Sequence, residues 1–132
     1  MKYIKLWMAG LIIALFISAC SDSKDDDKKN PTGPATQGDF AVTVSSGTTP
    51  NYSWSAGNVF SVSVVRTADP TVIVWGIATP GQANIASPAK HGVVPTGAIE
   101  TAQTEKALTA GVEYRVSVTK LDGKTGWKDF TP

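Results

Sequence analysis

The chain has 132 residues, a formal net charge of +1, 42% hydrophobic residues and 17% charged ones. A single cysteine excludes an internal disulfide framework and a zinc-finger array, and a single histidine leaves little for metal or triad chemistry. The averages conceal three unlike pieces. Residues 1–19 carry two lysines and no acid, residues 20–37 carry three lysines against four aspartates, and residues 38–132 carry five lysines and two arginines against seven acids. The third piece is neutral, which argues against nucleic acid as a partner, and its length suits one small domain.

The first piece reads as an address. Lys2 and Lys5 flank an apolar run of twelve residues, Leu6 to Ile17. Hydrocarbon about 30 Å thick needs about 20 residues of helix, so the run is too short to span and fits the apolar region of a secretory signal. The small residues Ser18 and Ala19 follow it, as cleavage requires. Ile17-Ser18-Ala19-Cys20 resembles the lipobox of bacterial lipoproteins: a branched apolar residue, two small residues, then cysteine. The resemblance implies cleavage between Ala19 and Cys20, diacylation of the Cys20 thiol and acylation of the new amine. It implies a chain attached by lipid in the bacterial cell envelope, at the outer membrane. Two or more acyl chains hold firmly where one binds only marginally. An ordinary cleaved signal and a short membrane anchor with an unrelated cysteine are the alternatives.

Residues 21–37 read SDSKDDDKKNPTGPATQ, with no periodicity and with Pro31, Gly33 and Pro34 near the end. Such a segment buries too little apolar surface to order itself and reads as a disordered polar tether. As a coil it spans about 20–25 Å, and fully stretched about 55–60 Å. Ser23-Lys24-Asp25-Asp26-Asp27 resembles the acidic export signal behind the cysteine of surface lipoproteins in Bacteroidetes-type bacteria. That resemblance implies a domain outside the cell; a plain solvated spacer leaves it facing the periplasm. The aspartates are a weak calcium site, because a disordered run lacks fixed loop geometry.

From Asp39 the period is two. Phe40, Val42 and Val44 alternate with Ala41, Thr43 and Ser45. Phe60, Val62 and Val64 alternate with serines, and Tyr114, Val116 and Val118 with Arg115, Ser117 and Thr119. Each run predicts a strand with one buried and one wet face. Thr71 to Ile77 is apolar on both sides, as a central strand would be. Strands are expected at 39–45, 52–55, 59–66, 71–77, weakly at 84–86, and at 112–119 and 126–130. The second and third are either one strand broken at Ala56-Gly57-Asn58 or a hairpin. Thr101 to Ala107 lacks an apolar face and reads as loop or a single turn. Seven short strands separated by turn residues predict an all-β fold over 38–132, a two-sheet sandwich.

Leu108-Thr109-Ala110-Gly111-Val112-Glu113-Tyr114-Arg115-Val116-Ser117-Val118 resembles the entry to the sixth strand of fibronectin type III domains, a small Ig-like β-sandwich. The resemblance implies that Leu108 packs the sheet corner and that the Tyr114 hydroxyl bonds back to nearby backbone. Trp54 resembles the buried tryptophan of an early strand in that fold. The chain departs from the family between Ile77 and Leu108, where Pro- and Gly-rich sequence reads as a long ordered loop. Long loops on a sandwich are where contacts with partners concentrate.

Chemistry is sparse. The seven acids of the domain show no pairing in their spacing and read as solvated surface charge. No G-x-S-x-G elbow is present, and Asp122-Gly123-Lys124-Thr125-Gly126 reads as a hairpin turn because Val118 holds the place of the phosphate loop's first glycine. No catalytic residue, metal site or cofactor is expected. The expected function is a non-enzymatic binding or structural module whose loops around 78–107 meet another envelope protein. The second reading is glycan binding, with Trp127 and also Trp75 or Tyr52 stacking on sugar rings. Trp127 follows a turn and is the best placed of the three to be exposed. Core burial is the stronger reading for Trp54, Trp75 and Trp127, because strand positions with apolar neighbours favour it. His91 lies in the long loop as a further ligand-contact candidate, against the plainer reading of an exposed or hydrogen-bonded loop residue.

Overall fold

The computed structural model describes residues 36–132. The signal peptide, Ala19, Cys20 and the Ser23–Asp27 stretch lie outside the described residues. Nine strands are present: β1 (Thr36–Gly38), β2 (Val42–Val44), β3 (Asn51–Trp54), β4 (Ser61–Arg66), β5 (Asp69–Ala78), β6 (Ala89–Lys90), β7 (Ile99–Gln103), β8 (Tyr114–Thr119) and β9 (Thr125–Phe130). They form two antiparallel sheets, one in the order β1-β9-β8-β4-β5-β7 and one in the order β2-β3-β6. The sheets pack face to face, and the chain folds as an all-β sandwich. No helix of the described residues is long and apolar enough to cross a membrane.

The alternation in the sequence decides which face goes inside. Tyr114, Val116 and Val118 of β8 are fully buried, while Arg115, Ser117 and Thr119 between them are half-buried on the other face. Across the ladder Val116 stands opposite Val64, and Val118 opposite Val62. Trp75 and Ile77 of β5 continue the same layer. Val42, Tyr52 and Trp54 enter from the small sheet. Each such side chain contributes about 1.5–3 kcal/mol by leaving water. Leu108 is buried at the corner before β8, and its amide donates to the Thr48 carbonyl at 2.8 Å.

The sequence expectations are corrected at five points. First, Thr36 and Gln37 belong to β1, which pairs with β9, ahead of the expected start of the domain at 38. Second, β3 and β4 are neither one broken strand nor a hairpin, because they lie in different sheets. The chain turns the corner between them, and the Trp54 indole N–H donates to the Gly57 carbonyl at 2.7 Å to hold it. Third, Thr71 to Ile77 is not buried throughout: Val72 and Ile73 are exposed. β7 pairs with β5 only from Trp75 onward, and the β4–β5 register shifts beyond Val64. Fourth, Ile85 makes an isolated bridge to Val59, and the strand beside β3 lies further on, at β6. Fifth, the stretch expected to be loop or a single turn begins in a strand: Thr101 to Gln103 are the end of β7, an edge strand on β5.

The Asp122–Gly126 segment does form the hairpin turn. Gly123 holds φ +84, where a side chain is strained, and the Lys120 amide donates to the Lys124 carbonyl at 2.9 Å.

Candidate functional site

The four aromatic and histidine candidates part company in the fold. Tyr52, Trp75 and His91 are 0%, 0% and 2% exposed and meet one another in the core. A sugar ring cannot stack on an indole or phenol that has no exposed face, so these three are corrected from ligand contacts to core. Trp127 is half-buried on the outer face of the large sheet.

The core group is a polar latch between the sheets. β3 supplies Tyr52, the turn after β6 supplies His91, and the segment after β7 supplies Glu105. The His91 Nε2 lies 2.8 Å from the Glu105 backbone carbonyl. A carbonyl only accepts, so Nε2 carries the proton. Burial lowers the His91 pKa, outweighing the Glu105 backbone and charge that raise it. In the neutral ring Nδ1 is an acceptor, and the Tyr52 hydroxyl donates to it at 2.8 Å. Burial, and secondarily Tyr114, push the Tyr52 phenol well above its ordinary value, so it stays a donor. The rings of Trp75 and His91 lie 4.9 Å apart, and the Trp75 indole N–H is buried without a hydrogen-bond partner.

Glu105 ties this latch to the surface. Its Oε1 accepts from Arg66 at 2.7 Å and its Oε2 from the Tyr114 hydroxyl at 2.6 Å. The Thr109 amide in turn donates to the Tyr114 oxygen at 3.0 Å, closing the corner before β8. A cleft of about 170 Å³ opens beside Arg66, Asp69, Val72 and Glu105. The hydrogen bond to the Glu105 carboxylate raises the Arg66 guanidinium pKa.

The outer face is different. β9 and β8 bring Trp127, Asp129, Arg115 and Ser117 together through the pairs Ser117–Trp127 and Arg115–Asp129. Arg115 donates to both Asp129 oxygens, at 2.6 and 2.8 Å, and its guanidinium lies 3.8 Å from the Trp127 ring centroid. That is a cation stacked on an aromatic and held flat by a two-pronged carboxylate.

Glu105 and Asp129 are therefore corrected from solvated charge: each side chain is 14% exposed and paired with an arginine. Asp39, Asp69, Glu100, Glu113 and Asp122 are exposed, as read from sequence. Among the described residues no three His, Cys, Asp or Glu side chains converge as metal ligands. Sequence reasoning missed Arg115, Asp129 and Ser117 as neighbours of Trp127. A parity signal was available: Phe130 is the apolar member of β9, so Trp127, three positions away, belongs to the opposite face.

No family model matches the chain, and neither a curated protein nor a solved structure does.

Proposed function

We propose that the chain is a lipid-anchored, non-enzymatic display protein of the bacterial cell envelope. Cys20 carries the lipid, the polar segment after it supplies reach, and a fibronectin type III-like sandwich is the part displayed. The observation that carries this reading is the order of elements along one chain. A lipobox closes an apolar run of secretory length, a polar segment of fifteen residues follows, 21–35, and β1 opens the sandwich as it ends. The Tyr114 hydroxyl bonded to the Thr109 amide supports the fibronectin type III-like part, as does the three-strand sheet β2-β3-β6 facing β9-β8-β4-β5. The two most enclosed carboxylates among the described residues, Glu105 and Asp129, are each held by arginine, an arrangement that fixes structure.

Protease added to intact cells tests the reading, with Cys20→Ala as the anchoring control and labelling by a palmitate analogue as the lipid readout. The expected result is a labelled wild-type chain in the outer-membrane fraction and an unlabelled, released variant. Shaving of the domain from intact cells places it outside; protection until the outer membrane is opened turns it toward the periplasm. A wild-type chain that takes no lipid overturns the reading.

A further inference from the structure

β4 and β5 lose their regular pairing at one end of the large sheet. Val64 stands opposite Trp75, but Val65 stands opposite Ile73 and Arg66 opposite Asp69, so Val74 and then Pro70 to Val72 are surplus to the ladder. Bulges of this kind re-aim side chains, and here Val72 is left 46% exposed. On the other side of β5, β7 ends at Gln103. The Thr104 and Glu105 amides both donate to the Val74 carbonyl, at 2.8 and 3.1 Å, and turn the chain away from β5. A cleft of about 170 Å³ remains between these two departures, with Val72 and Val74 as its apolar wall and Arg66, Asp69, Thr104 and Glu105 around it.

Size, charge and hydrogen-bonding capacity select the occupant. Sites for free small molecules run to about 300–1,000 Å³, so this one suits a single side chain. Glu105 is fixed by Arg66 at 2.7 Å and by the Tyr114 hydroxyl at 2.6 Å, and the guanidinium balances its charge. Asp69 is the unbalanced group. Its Oδ1 accepts from the Thr71 hydroxyl at 2.6 Å, and among the described residues no basic side chain pairs with it. The cleft therefore carries one net negative charge beside an apolar wall, and an anion is repelled there. An arginine fork asks for two carboxylate oxygens, and Thr71 already holds one. A lysine meets both features, with a compact ammonium for Asp69 and an aliphatic stem for the valines.

We propose that this cleft seats a lysine side chain of a partner protein, its ammonium on Asp69 and its stem along Val72 and Val74. The proposal names the chemistry of the displayed domain's partner, and it rests on the display reading only for where that partner is met.

The test is a titration of the isotope-labelled full chain, in a zwitterionic detergent, followed by NMR. The probes are blocked glycine–serine peptides carrying one central lysine, arginine, norleucine or glutamate, with cadaverine as the free amine. The expected result is that the lysine peptide moves the Val72 and Val74 methyl signals and the Asp69 amide signal, while the norleucine and glutamate peptides leave them in place. Binding weakens by about fivefold in Asp69→Asn, the upper end for a solvent-exposed ion pair. Asp122→Asn removes the same charge at the hairpin turn and leaves the affinity unchanged. The Trp75 indole and Val118 methyl signals, both from the core, show each variant folded. No movement with the lysine peptide, equal movement with norleucine, or tighter binding of the arginine peptide overturns the proposal. So does a response to cadaverine alone, full affinity in folded Asp69→Asn, or an equal loss in Asp122→Asn. A chain that binds the lysine peptide but takes no lipid at Cys20 overturns the display reading alone. A lipidated chain that ignores the lysine peptide overturns the cleft alone.

Discussion

The β8–β9 hairpin and the connection from β5 to β8 reach order by different routes. The hairpin is local. Six consecutive pairs, Tyr114–Phe130 to Thr119–Thr125, follow one another without a shift, and a short turn closes them. The connection is Pro- and Gly-rich, and it is ordered by bonds to distant partners. Ile85 exchanges backbone hydrogen bonds with Val59 at 2.9 and 3.1 Å, the His91 amide donates to Pro50 at 2.9 Å, and the Thr104 amide donates to Val74 at 2.8 Å. His91 and Glu105 add side-chain bonds to Tyr52, Arg66 and Tyr114. Turn-rich composition therefore does not make a segment a contact loop. It is structural wherever its few apolar and polar groups each meet a buried partner.

The strongest way to break the contrast is Ile85→Ala. Ile85 is fully buried, and truncating a buried isoleucine costs about 2–5 kcal/mol. A surface loop would change by no more than about 0.5 kcal/mol. Urea unfolding of the two chains decides between these values.

His91→Leu comes next. It leaves the Tyr52 hydroxyl and the Glu105 carbonyl without their partner, and an unsatisfied buried polar group costs about 1–3 kcal/mol. The same residue sets a pH dependence. Its folded pKa lies below the ordinary 6.5, so the unfolded chain takes up a proton first as pH falls. The stability it supports is whole above about pH 6.5 and declines below that, down to the lowered folded value, at up to about 1.4 kcal/mol per pH unit. Unfolding measured from pH 7.5 to 5 is expected to show this decline in the wild type and to lack that component in His91→Gln.

Tyr114→Phe sharpens the contrast at the junction of the two regions. The substitution keeps the ring but removes the hydroxyl that bonds Thr109 and Glu105, for an expected loss of about 1–2 kcal/mol in the midpoint of urea unfolding. The smallest effect is expected on the hairpin's outer face. Arg115 is 40% exposed, so solvent screens its pair with Asp129, and Asp129→Asn is expected to cost less than about 1 kcal/mol. The readout is the same unfolding curve.

The parts of the fold legible in sequence are those with local alternation. β4 and β8 carry it cleanly, and β2 follows it with Val42 inside and Thr43 outside. β7 does not, because an exposed edge strand has no inner face to mark: Ile99 is 53% exposed and Thr101 leans outward over Gly76. The latch was illegible for a different reason. His91 finds Tyr52 at a separation of 39 residues, and Glu105 finds Arg66 at the same separation, with no spacing rule between them. The tryptophans fall between these cases. Trp75 and Trp127 both sit in strands, and register separates them: Trp75 stands opposite Val64 on the inner face, Trp127 opposite Ser117 on the outer.

The most direct measurement is native-state amide hydrogen exchange on the full chain. The account predicts that the Ile85, His91 and Thr104 amides are protected to within about tenfold of Val118 in β8, because their bonds open only when the sandwich does. Exchange of these three at the rate of exposed Gly97, with Val118 still protected, would make the connection a surface loop and contradict the account.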